Sequence, residues 1–325
     1  MRYLLRRFAF YALAVWAAMT INFVLPRLMP GDPATILFAR MQGRMRPEEI
    51  HALKAAYGFS DAPLPQQYLQ YLVHAVQGDF GRSISLFPTP VTEVIAASLP
   101  WTILLGFTAV LLSFVLGTLL GILGTWRRGG WIDTLLPPLL ALIGTFPFFW
   151  VALVLLYLLG FQLHWFPLRH AYDIGLTPGW NLRFVGDIAY HLALPALAMI
   201  LTSIGGWMMG MRNVMIGILA EDYITLAEAK GLPQAQIMLR YAARNALIPN
   251  ITNLGMALGY VFGGQVIVEL IFGYPGIGYQ LVRAVSALDY PLMQGTFLVI
   301  TLAVLLANLV VDLLYVRLDP RVRAG

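Results

Sequence analysis

Six stretches of this chain, at about 9–29, 100–124, 134–160, 192–212, 250–272 and 292–316, are each apolar over a length that can cross a bilayer, roughly 20 residues of helix. Backbone N–H and C=O groups meet no water in hydrocarbon, so such stretches must satisfy their hydrogen bonds internally, as helices. The expected architecture is therefore an all-α polytopic membrane protein with six spans. Composition agrees: 59% of residues are hydrophobic and 11% charged, with mean hydropathy +0.74, whereas soluble domains carry about 25% charged residues. The first stretch is expected to remain a span rather than a cleaved leader. Ala12-Leu13-Ala14 comes too early for cleavage, and the apolar run continues to Leu25.

Cation placement gives the orientation. With the N-terminus in the cytoplasm, Arg2, Arg6, Arg7, Arg127, Arg128, Arg212, Lys230, Arg240, Arg244, Arg317, Arg321 and Arg323 fall on the cytoplasmic side. The short outer loops hold only Arg169, Arg183 and Arg283. The remaining cations lie in the long 27–98 region, and long loops translocate regardless of charge. Both termini are thus expected inside.

The outer region at about 30–99 reads as a small helical cap. Pro47-Glu48-Glu49 opens one helix that Gly58 ends, and a second runs from Leu64 to Gln77 with Gly78 as its terminator. Tyr68, Leu72 and Ala75 give that second helix an apolar face. A Gly-rich turn from Gly78 to Ser85 and then Pro88-Thr89-Pro90 follow. A shorter outer loop at about 161–191 is rich in Trp, Phe and Tyr, as interfacial segments are. No linker divides the chain, so residues 1–325 read as a single transmembrane domain.

Several chemistries are excluded. The chain has no Cys, which removes disulfides, iron–sulfur clusters, thiolate zinc sites and a Cys nucleophile. It has no G-x-x-x-x-G-K-[ST] loop for ATP hydrolysis. Gly273-Tyr274-Pro275-Gly276-Ile277-Gly278 follows a membrane helix rather than a strand and reads as a helix-end turn. His51, His74, His164, His170 and His191 are scattered, so no metal site is expected, and no cofactor is expected on this chain.

Three features carry two readings each. Gly255, Gly259 and Gly263 recur every four residues, as do Gly117/Gly121 and Gly206/Gly210, and let helix backbones approach closely. They serve either packing within the subunit or a face that meets a partner or slides. Pro137, Pro138 and Pro147 kink the third span. There the cluster Phe146, Pro147, Phe148, Phe149 and Trp150 either improves packing or lines a pathway or gate. Glu269 and Asp312 are intramembrane acids close enough to the interfaces to be solvated or to cap neighbouring loops. Glu269 is the candidate for a pathway.

Between the fourth and fifth spans lies a polar, helix-forming island, Glu221 to Pro249. Asp222 sits near the positive end of its first helix and Lys230 near the negative end. Gly231-Leu232-Pro233 breaks the helix, and a second runs from about Gln234 to Leu247, with Ile237, Tyr241 and Ala242 on one face and Arg240 and Arg244 elsewhere. Two short helices about a rigid turn would transmit force to a docked protein. An amphipathic helix lying on lipid has a similar pattern.

The stretch from Asp222 to Leu232, with Arg244-Asn245-Ala246-Leu247-Ile248-Pro249, resembles the EAA loop of ABC importer permeases, in the peptide/nickel branch (oligopeptide and dipeptide permease subunits of the B type). Further matches are Arg6-Arg7, Pro30-Gly31-Asp32-Pro33, Gly78-Asp79-Phe80-Gly81, Glu269 to Gly278, Asp289-Tyr290-Pro291 and Leu318-Asp319-Pro320-Arg321. The Glu that names the motif would fall at Thr225; Ala227 and Gly231 keep the pattern, and Asp222 or Glu228 could replace the missing contact.

The resemblance implies a six-span permease paired with a homologous second permease, two ATP-binding subunits carrying ATP and Mg, and an extracytoplasmic solute-binding protein. It implies a non-catalytic chain in the bacterial inner membrane, contacting lipid and no nucleic acid. It implies ATPase coupling through Asp222, Tyr223, Thr225, Ala227, Glu228, Lys230, Gly231, Arg240, Arg244 and Asn245. The competing readings are an ion-gradient-driven secondary transporter, which would need buried carboxylates near mid-bilayer, and a membrane-anchored assembly or signalling protein without transport.

Overall fold

The computed structural model describes residues 2–28, 62–261 and 265–318. The expected helix from Pro47 to Gly58, the Pro30–Pro33 motif, Gly263, Asp319–Arg321 and the side chain of Asp312 lie outside the described residues. Among the described residues the fold is helical, with one isolated antiparallel bridge, Arg82–Pro90, in place of a sheet.

In chain order the helices are α1 (Arg2–Leu28), α2 (Leu64–Gln77), α3 (Val91–Trp126), α4 (Trp131–Thr145) and α5 (Phe148–Leu155, prolonged by a π-helical Leu156–Gln162). Then follow α6 (Leu182–Leu219), α7 (Asp222–Ala229), α8 (Arg244–Val261), α9 (Val266–Ile271), α10 (Ile277–Ala287) and α11 (Tyr290–Leu318). Gln234–Gln236 and a π-helical Ile237–Ala243 lead without a break into α8.

By length and apolar content α1, α3, α6 and α11 can each cross a membrane, and α4 with α5 makes a fifth crossing if the pair is one span. The pair is bent by 97°, a sharper break than the kink expected of the third span. Pro137 and Pro138 sit inside α4 without ending it. Pro147 does end it, because the ring clashes with a helical residue before it; Phe146 is extended at φ −74°, ψ 137°. At 1.5 Å per residue α3 and α6 are about 54 and 57 Å long, well beyond the roughly 30 Å of hydrocarbon. Asn181 starts α6 ten residues before the apolar stretch by accepting the Phe184 N–H at 2.8 Å. Of the expected fifth span, residues 250–261 lie on α8 and residues 266–271 on α9, with residues 262–264 outside the described residues.

The chain forms two compact units. Residues 1–102, 262–266 and 275–310 make one. In it Phe23 of α1 meets the rings of Tyr68 and Tyr71 of α2 at 5.2 and 5.5 Å. Gly78 ends α2 in the left-handed region (φ 75°), as expected. Val91, Val94 and Ile95 of α3, Ile277 and Ala284 of α10, and Leu292 and Met293 of α11 form the core. Asp289, fully buried, accepts the Leu292 N–H at the start of α11 and gathers the Ser83 hydroxyl and the Ser85 N–H and hydroxyl on its other oxygen.

Residues 103–261, 267–274 and 311–325 make the other unit. Here α3 lies directly on α6. A Cβ at Gly117 would sit 2.5 Å from the Trp207 Cβ, and one at Gly121 would sit 2.7 Å from the Met208 carbonyl. For this pair the structure shows packing within the subunit. Gly206 faces open space, and Gly210 lies nearest the Asn250 Oδ1, 3.4 Å from an added Cβ. Gly259 is buried and Gly255 partly so. Arg212 Nε on α6 donates to Asp133 Oδ1 on α4 at 2.6 Å, and the Gly129 N–H donates to the other oxygen. Glu269 is wholly buried on α9, which removes the solvated reading of that acid.

Candidate functional site

The Glu221–Pro249 island is a folded knob. Asp222 lies in the first turn of α7, where the helix dipole favours a negative charge. At the other end the Leu232 N–H reaches the Ala227 carbonyl at 3.3 Å and the Gly231 N–H the Glu228 carbonyl at 2.8 Å. These paired bonds require the residue between helix and exit to be left-handed, and Gly231 is, at φ 74°. Leu232 then folds against Ile224, Ala227 and Ile237, a small core that also takes in Ile218, Leu219 and Tyr241.

Pro233 restarts the chain, its carbonyl accepting the Gln236 and Ile237 N–H groups at 2.9 and 3.2 Å. The second helix was expected to stop near Leu247. It instead leads without a break into α8 and continues past Pro249. Pro249 forfeits one hydrogen bond, but Ala246 packs with Met211 and Met215 of α6, and Asn250 Nδ2 reaches Met211 Sδ at 2.9 Å. Packing on both sides of the proline outweighs the lost donor. One end of the knob is thus continuous with a long helix.

The structure exposes Asp222, Tyr223, Thr225, Glu228, Lys230, Gly231, Arg240, Arg244 and Asn245. Ala227 is buried at 3%, so it supports the knob from within. Sequence reasoning missed Leu226, a large apolar side chain 56% exposed among these charges. The signal was there: Ile224 and Ala227 set the buried phase, and Leu226 falls off it. It also missed that Asn245 donates to the Tyr223 hydroxyl, tying α7 to α8.

The aromatic cluster is at the α4–α5 break, and Phe146, Pro147, Phe148 and Trp150 are all exposed. Phe146 and Trp150 stack with centroids 5.4 Å apart, while Phe148 and Phe149 meet edge to face. The Trp150 N–H turns back to the Pro147 carbonyl at 2.9 Å. Glu269 does not join this surface, being buried elsewhere in the unit. Among the described residues no cluster of three His, Asp or Glu could hold a metal.

Several long apolar helices, with a folded polar knob between two of them, define a multi-pass membrane protein. Residues 113–324 match the family described as binding-protein-dependent transport system inner membrane component, and residues 1–105 match the N-terminal part described for such components. The chain is 36% identical to a putative peptide permease protein of Brucella suis, over 99% of both chains. It is 36% identical to a probable D,D-dipeptide transport system permease protein of Escherichia coli, over 96% of this chain and 95% of the other. With an oligopeptide transport system permease protein of Bacillus subtilis it shares 34% identity over 98% of both. The chain belongs to this family, as a permease subunit of an ABC importer in the inner membrane. Such subunits are non-catalytic and work with ATPase and solute-binding partners, so the missing phosphate loop is consistent with membership. A secondary transporter is not what the family does.

Proposed function

We propose that this subunit forms half of a translocation pathway for peptides or a similar small solute, and that Glu221–Pro249 is the coupling loop seated on one ATPase. Support for the cargo comes from relatives whose names give peptide, dipeptide or oligopeptide transport. The arrangement is one transmembrane domain with six spans, α8 and α9 contributing to the fifth. Both termini and the knob are cytoplasmic, and the cap is outside. A homologous permease supplies the other half. Two ATP-binding subunits hold ATP and Mg, a solute-binding protein delivers cargo from outside, and no cofactor resides on this chain.

The observation that carries this reading is the knob itself. Its own small core and its continuity with α8 let it pass ATPase movement to the membrane helices as a rigid body. Asp222, Glu228, Lys230, Arg240 and Arg244 supply the exposed charges and Leu226 an apolar centre. Phe146, Pro147, Phe148 and Trp150 are the pathway or gate surface, since the break in the span leaves their side chains exposed. The test is affinity purification with cysteine cross-linking from Leu226→Cys. Stoichiometric ATPase subunits, cross-linked at that site, are expected; their absence would overturn the assignment.

A further inference from the structure

We infer that α2 is an interfacial lipid-binding helix: its Leu69–Val73–Val76 stripe lies in the headgroup region of the bilayer, beside the end of α1. At about 100° per residue, α2 divides into three sectors. Tyr68 and Tyr71 face α1, and Ala75 in the same sector is buried. Leu69, Val73 and Val76 form the next sector and are 62, 55 and 78% exposed. Gln66, Gln70 and Gln77 form the third and are also exposed.

The depth of α2 follows from its contacts. The apolar window of α1 closes at Leu25. The Tyr68 hydroxyl shares a 2.7 Å hydrogen bond with Thr20, and Asn22 Nδ2 donates to the Tyr71 hydroxyl at 3.0 Å. Both partners lie inside that window, so α2 sits against the membrane-embedded end of α1. At its polar edge Gln67 Oε1 accepts from Arg27 Nη2 at 3.0 Å. Arg27 stands just past the window, its guanidinium folded back 3.5 Å over the Phe23 ring and donating to the Phe23 carbonyl at 2.7 Å, so a cation marks the edge of the apolar stretch. Burial also pushes the Tyr71 phenol above its ordinary range.

Composition selects lipid over a water-facing partner. The sequence of α2, LPQQYLQYLVHAVQ, contains no Asp, Glu, Lys or Arg, and a 14-residue helix in water ordinarily carries some. The end of α1 also exposes apolar side chains, Ile21, Val24 and Leu28 among them. A helix with one apolar sector against lipid and one polar sector toward water lies in the interface plane. The inference rests on α1 being a span and is independent of the coupling loop.

The test uses the complete transporter in anionic liposomes. The chain has no Cys, so single Leu69→Cys, Val73→Cys, Val76→Cys, Gln66→Cys and Gln70→Cys variants each take one bimane label, and the parent complex gives the background. Each variant must co-purify with its partners at the parent ratio. Stripe labels should be quenched about 3-fold more by lipids bearing a nitroxide just below the glycerol than by aqueous iodide, with the reverse at Gln66 and Gln70. Equal iodide quenching at stripe and polar positions overturns the proposal. So does protection of the stripe from both quenchers, which would mean that protein covers it.

Discussion

Asn245 of α8 donates its side-chain amide to the Tyr223 hydroxyl of α7 at 3.2 Å and to the Tyr241 carbonyl at 2.9 Å. One side chain thus braces the first helix of the coupling loop against the helix that enters the membrane. Both residues are exposed, so the brace works by alignment rather than by stabilising the fold. Tyr223→Phe should cost about 0.5–1 kcal/mol of alignment and lower uptake per ATP hydrolysed while leaving assembly intact. Asn245→Ala should do the same, and the double variant should be no worse than either single. Additive losses in a reconstituted transport assay would show that the two residues act separately.

Gly231 separates backbone strain from crowding. Nothing lies within 4 Å of an added Cβ there, yet φ is 74°. Gly231→Val therefore meets no neighbour, and its cost, about 1–3 kcal/mol, is purely conformational. The variant should insert and assemble but hydrolyse ATP without matching uptake. Gly231→Asn, which tolerates the left-handed region, should retain coupling. Equal behaviour of the two would remove the turn from the mechanism.

The stop at Gly231, the apolar core of the loop and the end of α2 at Gly78 were legible because each is fixed by residues a few positions apart. Helix ends set by distant partners were not. The second helix of the loop was expected to end near Leu247, because sequence does not show the Met211 packing that carries it on past Pro249. The α4–α5 break was half legible: Pro147 announces a disruption, but whether it bends by 20° or by 97° depends on what the arms rest on. Glu269 read as either solvated or capping a loop from its place near the end of a span, and only the fold, which closes over it, decides against the first. Leu226 could have been found, since it violates the phase of its own helix.

The close approach of α3 and α6 predicts a contrast among glycines. Gly117→Ala would bring its Cβ to 2.5 Å from the Trp207 Cβ and 2.8 Å from the Ile204 carbonyl. Both helices must shift, at about 1–3 kcal/mol. Gly206→Ala on α6 meets nothing within 4 Å and should be neutral or slightly stabilising through helix propensity. Thermal unfolding of the purified complex in detergent measures both. A Gly117→Ala variant as stable as Gly206→Ala would mean that the two helices are not in fixed contact.

Asp289 predicts the largest stability loss. Its carboxylate is wholly buried and accepts from Ser83 Oγ, the Ser85 N–H and hydroxyl (both 2.8 Å) and the Leu292 N–H (3.2 Å). It both caps α11 and holds the loop that follows α2. Asp289→Ala strands these donors, and unsatisfied buried groups cost about 1–3 kcal/mol each, so a loss of about 2–4 kcal/mol is expected after partial relaxation. Ser85→Ala removes one donor and leaves the acceptor with its others, so about 1 kcal/mol or less is expected. Asp289→Asn keeps one accepting oxygen and should fall between them. Limited proteolysis within residues 79–90 should follow the same order as the melting temperatures, because the carboxylate tethers that loop directly. Unchanged cleavage in Asp289→Ala would show that the loop is held by the apolar core around Phe80 and Leu86 instead.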